Sequence, residues 1–266
     1  MSVKLYNFVN EDRQIISKLG NFSVLEHMKD PSVAPSNAQN KYYMSEMGVR
    51  RRQLIIDLDG VHTAVTQAGA MQWIIGDIKS TTGLKGVGDL MGKLVAGAVT
   101  KESAIKPEYT GAGRMFLEPT YKYILLEDMA NWGADGMSVE DGMFLACDGN
   151  VKSKVVTRST LSSAVAGNEG LFNLSLSGSG VVALESNVPA SEIITVELEN
   201  DVLKLDGSFA IAWSTSLQFT VERSSATLLG SAVNKEGLVN VFRGTGKVLI
   251  SPTTTYTRSL SATTHN

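Results

Sequence analysis

Short stretches in which apolar and polar residues alternate dominate the chain, and they predict β-strands. Residues 217–221, Leu-Gln-Phe-Thr-Val, alternate strictly, which is typical of a strand with one buried face. Other segments rich in Thr, Val, Ile and aromatic residues lie at 54–58, 121–126 and 192–198. Helical periodicity is scarce, so we expect an all-β protein folded as a β-sandwich or barrel-like roll.

A glycine motif followed by an apolar run occurs three times at nearly equal spacing. The motif begins at Gly111, Gly178 and Gly244, so the spacings are 67 and 66 residues. Such a period predicts one structural unit used three times. No helix pattern follows the glycines, so they lack the helix N-terminus of a dinucleotide-binding site and are expected to be turns or close approaches between strands.

An Asp-Gly pair also recurs, at Asp59, Asp141 and Asp206. Each pair precedes strand-forming residues and predicts a turn that leads into a strand. The first two pairs lie 82 residues apart and the last two 65 apart, which indicates an insertion in the first repeat, at residues 77–106. Apolar residues in this insertion have helical spacing and predict a short amphipathic helix, weakened by three glycines. They are Leu84, Val87, Met91, Leu94, Val95 and Ala98.

These patterns divide the chain into three parts. Residues 1–40 carry no repeat mark, and Pro31 to Asn40 is polar, so we expect residues 1–40 to be an N-terminal appendage and linker. Residues 41–255 form the three-repeat β-domain. Residues 256–266 are rich in Ser and Thr, and we expect them to be a flexible tail.

The ordered motifs resemble those of the altered-inheritance-of-mitochondria protein twenty-four family. The resemblance covers about residues 42–255 and rests on three features: the Gly-x-Gly motif, the strand at 193–198 with the Asp-Gly turn behind it, and Met71-Gln72-Trp73 before a glycine-rich insertion. It implies a double-stranded β-helix or β-sandwich similar to the tryptophan RNA-binding attenuation protein, no established catalytic activity, and no catalytic residues. Mitochondrial members are implicated in organising the inner membrane. Residues 187–190, Asn-Val-Pro-Ala, lack the glycine that usually follows the proline, which affects a turn.

Charge and composition narrow the partners and the location. The chain has 24 basic and 27 acidic residues, a net charge of −3, so nothing draws it as a whole to nucleic acid. Charged residues interrupt every long apolar stretch, including 84–99, which argues against a membrane span. The first residues lack the apolar core of a signal peptide, and the single Cys147 cannot form an intramolecular disulfide. We therefore expect a cytoplasmic protein.

Catalytic chemistry finds little support in the residues available. The chain has three histidines, His27, His62 and His265, which are too few to form a metal site of three or four ligands by themselves. We expect His62 to lie in a strand, where it faces solvent or forms a local hydrogen bond. Cys147 sits in an apolar segment and is expected to be inert.

The acidic pairs 127–128 and 140–141 are expected to be solvated turns, although a glycosidase-type arrangement stays open. Residues 86–94 do not fit a phosphate loop, because Val87 and Leu94 stand where glycine and a hydroxyl are required. We expect no enzyme, cofactor or metal.

Arg50, Arg51 and Arg52 form the one concentrated basic run. Three adjacent arginines suit phosphate, but the acidic balance of the chain makes a solvated, aggregation-resistant strand edge the preferred interpretation. We expect a self-assembling scaffold or interaction module, a homo-oligomer in which the insertion takes part, with a protein or membrane surface as further partner. A small-ligand-binding module that uses clefts between repeats is the alternative, and an RNA-binding protein is a weaker one.

Overall fold

The structure is a computed structural model that describes residues 3–81, 106–157, 172–206, 209–223 and 238–253. Its first strands are β1 (Arg13–Leu19), β2 (Phe22–His27), β3 (Arg52–Asp59), β4 (Ala64–Thr66), β5 (Met71–Thr81), β6 (Glu108–Leu117), β7 (Tyr123–Asp128) and β8 (Met137–Val139). The later strands are β9 (Phe144–Asp148), β10 (Val151–Thr157), β11 (Phe172–Gly178), β12 (Val181–Ser186), β13 (Ile194–Asp206), β14 (Ala210–Ser214), β15 (Gln218–Arg223) and β16 (Leu238–Ile250). Helix α1 (Ala38–Glu46) lies between β2 and β3.

The strands form two antiparallel sheets. The first has the order β1-β2-β3-β6-β4-β9-β12-β7, with β5 also paired to β6. The second has the order β10-β11-β8-β14-β16-β13, with β15 also paired to β16. The first sheet curls so far that its two ends, β1 and β7, contact each other. The predicted all-β class is confirmed.

Buried side chains explain which strands have continuous apolar sequences. One cluster fills the inside of the curled first sheet and includes Val24, Ile56 and Met115. A second cluster joins the two sheets and includes Phe144 and Leu174. Strands β9 and β12 contribute to both clusters, and so they are apolar on both faces, as a run without alternation indicates.

The N-terminal residues are part of this sheet, so the prediction of an appendage at residues 1–40 is wrong for β1 and β2. Strand β2 pairs with β3 over five residues, and its Phe22 and Val24 are fully buried. The predicted polar linker at 31–40 ends in α1 rather than in irregular chain. The repeat motifs did not indicate the N-terminal strands or the helix, because β2 has no counterpart among those motifs.

The glycine motifs occupy related places. Gly111, Gly178 and Gly244 each lie in the second strand of a hairpin, respectively β5–β6, β10–β11 and β15–β16, with φ of +118°, +108° and +118°. A Cβ on Gly111 would stand 2.0 Å from the Asp77 carbonyl oxygen, and one on Gly178 would stand 2.3 Å from that of Asn150. These are the predicted close approaches between strands, whereas the threefold repeat itself stays a prediction.

Several predictions concern residues outside the described ranges. The helix expected in the insertion falls in residues 82–105, and the tail falls in residues 254–266. The beginning of the insertion needs correction, since β5 continues without interruption past residue 77 to Thr81.

Candidate functional site

A cleft of about 540 Å³ lies at the seam where the first sheet fails to close. Strand β1 supplies one wall and strand β7 another, β2 and β3 each contribute one residue, and the turn at 189–193 with parts of β13 and β16 supplies the remainder. Its lining includes the side chains of Ile16, Glu26, Arg52, Tyr123, Glu127 and Leu249. Its volume falls in the range of small-molecule sites, roughly 300–1,000 Å³.

A buried ion pair forms the polar part of the cleft. Arg52 and Glu26 are directly opposite in the β2–β3 ladder, and Arg52 Nη2 lies 2.7 Å from Glu26 Oε2. The same guanidinium donates to the Gly48 carbonyl oxygen at 2.9 Å, and it stacks over the Tyr123 ring at 3.8 Å from the centroid. These contacts hold Arg52 in one orientation, which suits recognition of a ligand by fixed groups.

The arginine run is not the solvated strand edge that its sequence suggests. Strand β3 lies between β2 and β6, and each of the three arginines contacts a carboxylate. Arg50 pairs with Glu26 at 3.0 Å, Arg51 pairs with Asp30, and Arg52 is only 4% exposed. The sequence could not show this, because the acidic partners belong to β2 and to the chain just after it.

Glu127 lies in β7, four residues beyond Tyr123, and it lines the cleft with a partly buried side chain. Its Oε2 accepts a hydrogen bond from Trp132 Nε1 at 3.2 Å, and Lys247 Nζ stands 4.1 Å from the centroid of that indole. Burial raises the pKa of the Glu127 carboxyl, and the Trp132 hydrogen bond and the charge of Lys247 oppose the rise. The prediction of a solvated acidic pair at 127–128 is therefore wrong for Glu127, while Asp128 caps the turn at 129–132 through the Ala130 N–H at 2.9 Å.

The remaining sequence candidates lie apart from the cleft. His62 is in the turn between β3 and β4, not in a strand, and its Nδ1 is 2.7 Å from Asp59 Oδ2. Hydrogen bonds from His62 and Val61 hold the pKa of Asp59 well below its usual range. Cys147 lies in β9 as expected, and burial raises the pKa of its thiol to about 12. His265 falls outside the described residues.

Metal ligands do not converge in the described part of the chain. No group of three or more His, Cys, Asp or Glu side chains in residues 3–81, 106–157, 172–206, 209–223 and 238–253 is arranged to hold an ion. Within the same ranges, no helix has the length and apolar character needed to cross a membrane.

Two packed antiparallel sheets with a seam cleft define the class as an all-β protein that presents a pocket and several sheet edges. The model of the mitochondrial biogenesis AIM24 family matches residues 46–253, and the chain belongs to that family. This confirms the family resemblance of the sequence motifs.

Two streptococcal proteins illustrate how far the similarity extends. An uncharacterized protein of Streptococcus pyogenes serotype M6 is 27% identical over 203 residues, which cover 73% of this chain and 79% of that protein. The X-ray crystal structure of a Streptococcus pyogenes protein superposes with a TM-score of 0.54 at 23% identity, over 77% of this chain and 89% of that one. The second likeness supports the fold alone.

Proposed function

We propose that this protein is a non-enzymatic interaction module that assembles with copies of itself through the two ends of its second sheet. Strands β10 and β13 are the ends of that sheet, and neither pairs with a second strand among the described residues. Strand β13 is thirteen residues long and mostly exposed. An open edge of this length offers a row of backbone donors and acceptors for another strand.

Opposite charges on the two edges are the observation that carries the proposal. Lys152 and Lys154 project from β10, and Glu197 and Glu199 project from β13, and all four are exposed. None of the four forms an ion pair with another described residue. Charge complementarity therefore favours β10 of one copy beside β13 of the next, a head-to-tail contact that gives a ring or a filament.

Charge reversal tests this contact. Sedimentation velocity at micromolar concentration should show an oligomer for the unmodified chain, and smaller species for Lys152→Glu with Lys154→Glu, because like charges would then face each other. The reversal Glu197→Lys with Glu199→Lys should have the same effect, and the four changes together should restore assembly.

The double variant Lys18→Glu with Lys79→Glu is the matched control for the lysine reversal, since it changes the net charge equally at exposed positions of the first sheet. A monomeric unmodified chain, or charge-reversal variants that assemble as the control does, would contradict the proposal.

A small-ligand module is the second candidate, and the seam cleft favours it. The cleft combines an apolar wall containing Ile16 and Leu249 with the fixed Arg52–Glu26 pair and the Glu127 carboxyl, a combination typical of sites for small molecules. Saturation-transfer NMR with a library of small amines and carboxylic acids tests it, with Thr195→Trp to fill the cleft. Binding that Thr195→Trp leaves unchanged would exclude the cleft as the site.

A further inference from the structure

Three side chains with basic nitrogens stand in a row on the outer face of the first sheet. Arg13 is directly opposite His27 in the β1–β2 ladder, and the backbone N–H of His27 donates to the Arg51 carbonyl oxygen at 2.9 Å. Residues directly opposite on neighbouring strands project from the same face. His27 therefore lies between two guanidinium groups.

Two nitrogens in this row are buried without a hydrogen-bond partner in the described protein. They are Nε2 of His27 and Nε of Arg51, and both residues line a small cavity of about 20 Å³. Buried polar nitrogens are almost always satisfied by protein or by a bound molecule. A cavity of this size holds a single oxygen atom of a water or of a larger group that extends outward.

The walls of the cavity are rich in positive charge. Four cations line it, namely Lys29, Lys41, Arg50 and Arg51, together with one carboxylate, Asp30. Arg51 pairs with Asp30 and Arg50 with Glu26, whereas Lys29 and Lys41 pair with no described carboxylate. Lys41 is held over the Tyr121 ring, 4.3 Å from its centroid. This excess of positive charge contrasts with the net −3 of the whole chain.

We propose that this cavity binds a phosphate group. One phosphate oxygen enters the cavity and accepts hydrogen bonds from His27 Nε2–H and Arg51 Nε–H. Lys29 and Lys41 compensate the charge of the outer oxygens. A water molecule would satisfy the two nitrogens but make no use of the positive charge at the mouth of the cavity, where Lys29 is exposed and Lys41 donates to the Tyr121 hydroxyl oxygen. A carboxylate carries only half the charge of a dianionic phosphate. Arginine and lysine around one oxyanion are the usual combination for phosphate.

Inorganic phosphate is the first probe. It is titrated into the full chain, with sodium chloride at matched ionic strength as the reference, while the imidazole resonances of the three histidines are followed by NMR. We expect a saturable shift of His27 and none of His62, which lies in an exposed turn. A shift of both histidines, or an equal shift with chloride, would overturn the proposal.

Paired variants separate binding from loss of an ion pair. Arg51→Met should weaken phosphate binding by about tenfold or more, the usual effect of losing a charge-assisted hydrogen bond. Arg114→Met is the matched control, because Arg114 also pairs with a carboxylate, Asp57, and its side chain is 35% exposed against 32% for Arg51. If Arg51→Met does not fold, Lys29→Met with Lys41→Met provides the same test at the outer oxygens. If Arg51→Met, or the double lysine variant, binds phosphate with the same affinity as Arg114→Met, the proposed phosphate site is wrong.

The source of the phosphate is distinguished by two further probes. Glycerol phosphate represents a soluble phosphomonoester, and vesicles of phosphatidylcholine with phosphatidic acid represent a lipid headgroup. If the protein sediments with these vesicles and Arg51→Met abolishes this co-sedimentation, the ligand is the lipid headgroup. A His27 shift with glycerol phosphate and no sedimentation would identify a soluble ligand, and failure of both probes together with inorganic phosphate would overturn the proposal.

Discussion

Glu26 and Arg52 stand opposite each other across the β2–β3 ladder, and their side chains meet in a 2.7 Å ion pair with 9% and 4% of their surfaces exposed. Glu26 also accepts from Arg50 at 3.0 Å. A slip of either strand by one residue would turn one partner to the other face of the sheet. The pair therefore ties the register of the N-terminal hairpin to the rest of the sheet, besides giving the seam cleft its polar part.

Removing one partner of this pair should be severe. We expect Glu26→Gln to lower the free energy of unfolding by about 3–5 kcal/mol, because Arg52 would remain buried without a counter-charge. Urea denaturation measures the loss. Glu222→Gln is the control, since it breaks the exposed Arg243–Glu222 pair and should cost much less. Equal losses would show that the buried pair has no special weight.

Acidification should weaken the fold through His27. Burial, and then the charges of Arg51 and Arg13, lower its pKa below 6.5, and Asp30 opposes them in part. The unfolded chain therefore binds a proton at a higher pH than the folded chain does, so stability is complete above about pH 6.5 and falls as the pH drops toward the folded pKa. Urea midpoints in phosphate-free buffer should decline in this window for the unmodified chain and for the control His62→Gln, and decline less for His27→Gln. A pH dependence unchanged in His27→Gln would contradict this assignment.

RNA should bind weakly, because the arginine run is already engaged. Arg50, Arg51 and Arg52 each face a carboxylate, so the charge of the run is already compensated and adds little to the long-range attraction of an RNA backbone. We expect dissociation constants no tighter than roughly micromolar at physiological salt, the range of nonspecific binding. Fluorescence anisotropy with labelled single-stranded RNA measures this. Submicromolar, salt-sensitive binding that is lost when the three arginines become alanine would refute the prediction.

The sequence predicted the strands well and the side-chain partners poorly, for a physical reason. Alternation at 217–221 and the apolar run at Phe144 are local consequences of burying one face or two. Residues 218–221 lie in β15 and the run at Phe144 lies in β9. The ion pair of Glu26 depends instead on which strand lies beside β2, a non-local choice. Neither the repeat marks nor the charge run contains that information. The prediction of an appendage at residues 1–40 and the prediction of a solvated strand edge at residues 50–52 were therefore wrong for the same reason.

The family resemblance likewise indicated the all-β class but did not indicate which residues form the candidate site. Tyr123 and Glu127 stand in an ordinary strand sequence, and only the curl of the first sheet places β7 beside β1. A carboxylate one residue from a capping Asp, such as Glu127, looks solvated in the sequence. The Trp132 indole that covers it follows five residues later, and this spacing is the one signal that could have indicated its burial.

The three motif glycines should differ in what they tolerate, although their backbones are alike. All have φ between +108° and +118°, a region that an alanine enters only with strain, of about 1–3 kcal/mol. Gly244→Ala should cost about that much, because the nearest atom to its added Cβ would be 3.8 Å away. In Gly111→Ala the added Cβ would stand 2.0 Å from the Asp77 carbonyl oxygen, so β5 and β6 would have to separate as well. In Gly178→Ala the added Cβ would stand 2.3 Å from the Asn150 carbonyl oxygen, so this variant should resemble Gly111→Ala.

Urea denaturation of the three variants should therefore rank Gly244→Ala as the mildest. Equal losses at the three positions would mean that strain in φ dominates and that the close approaches relax without cost.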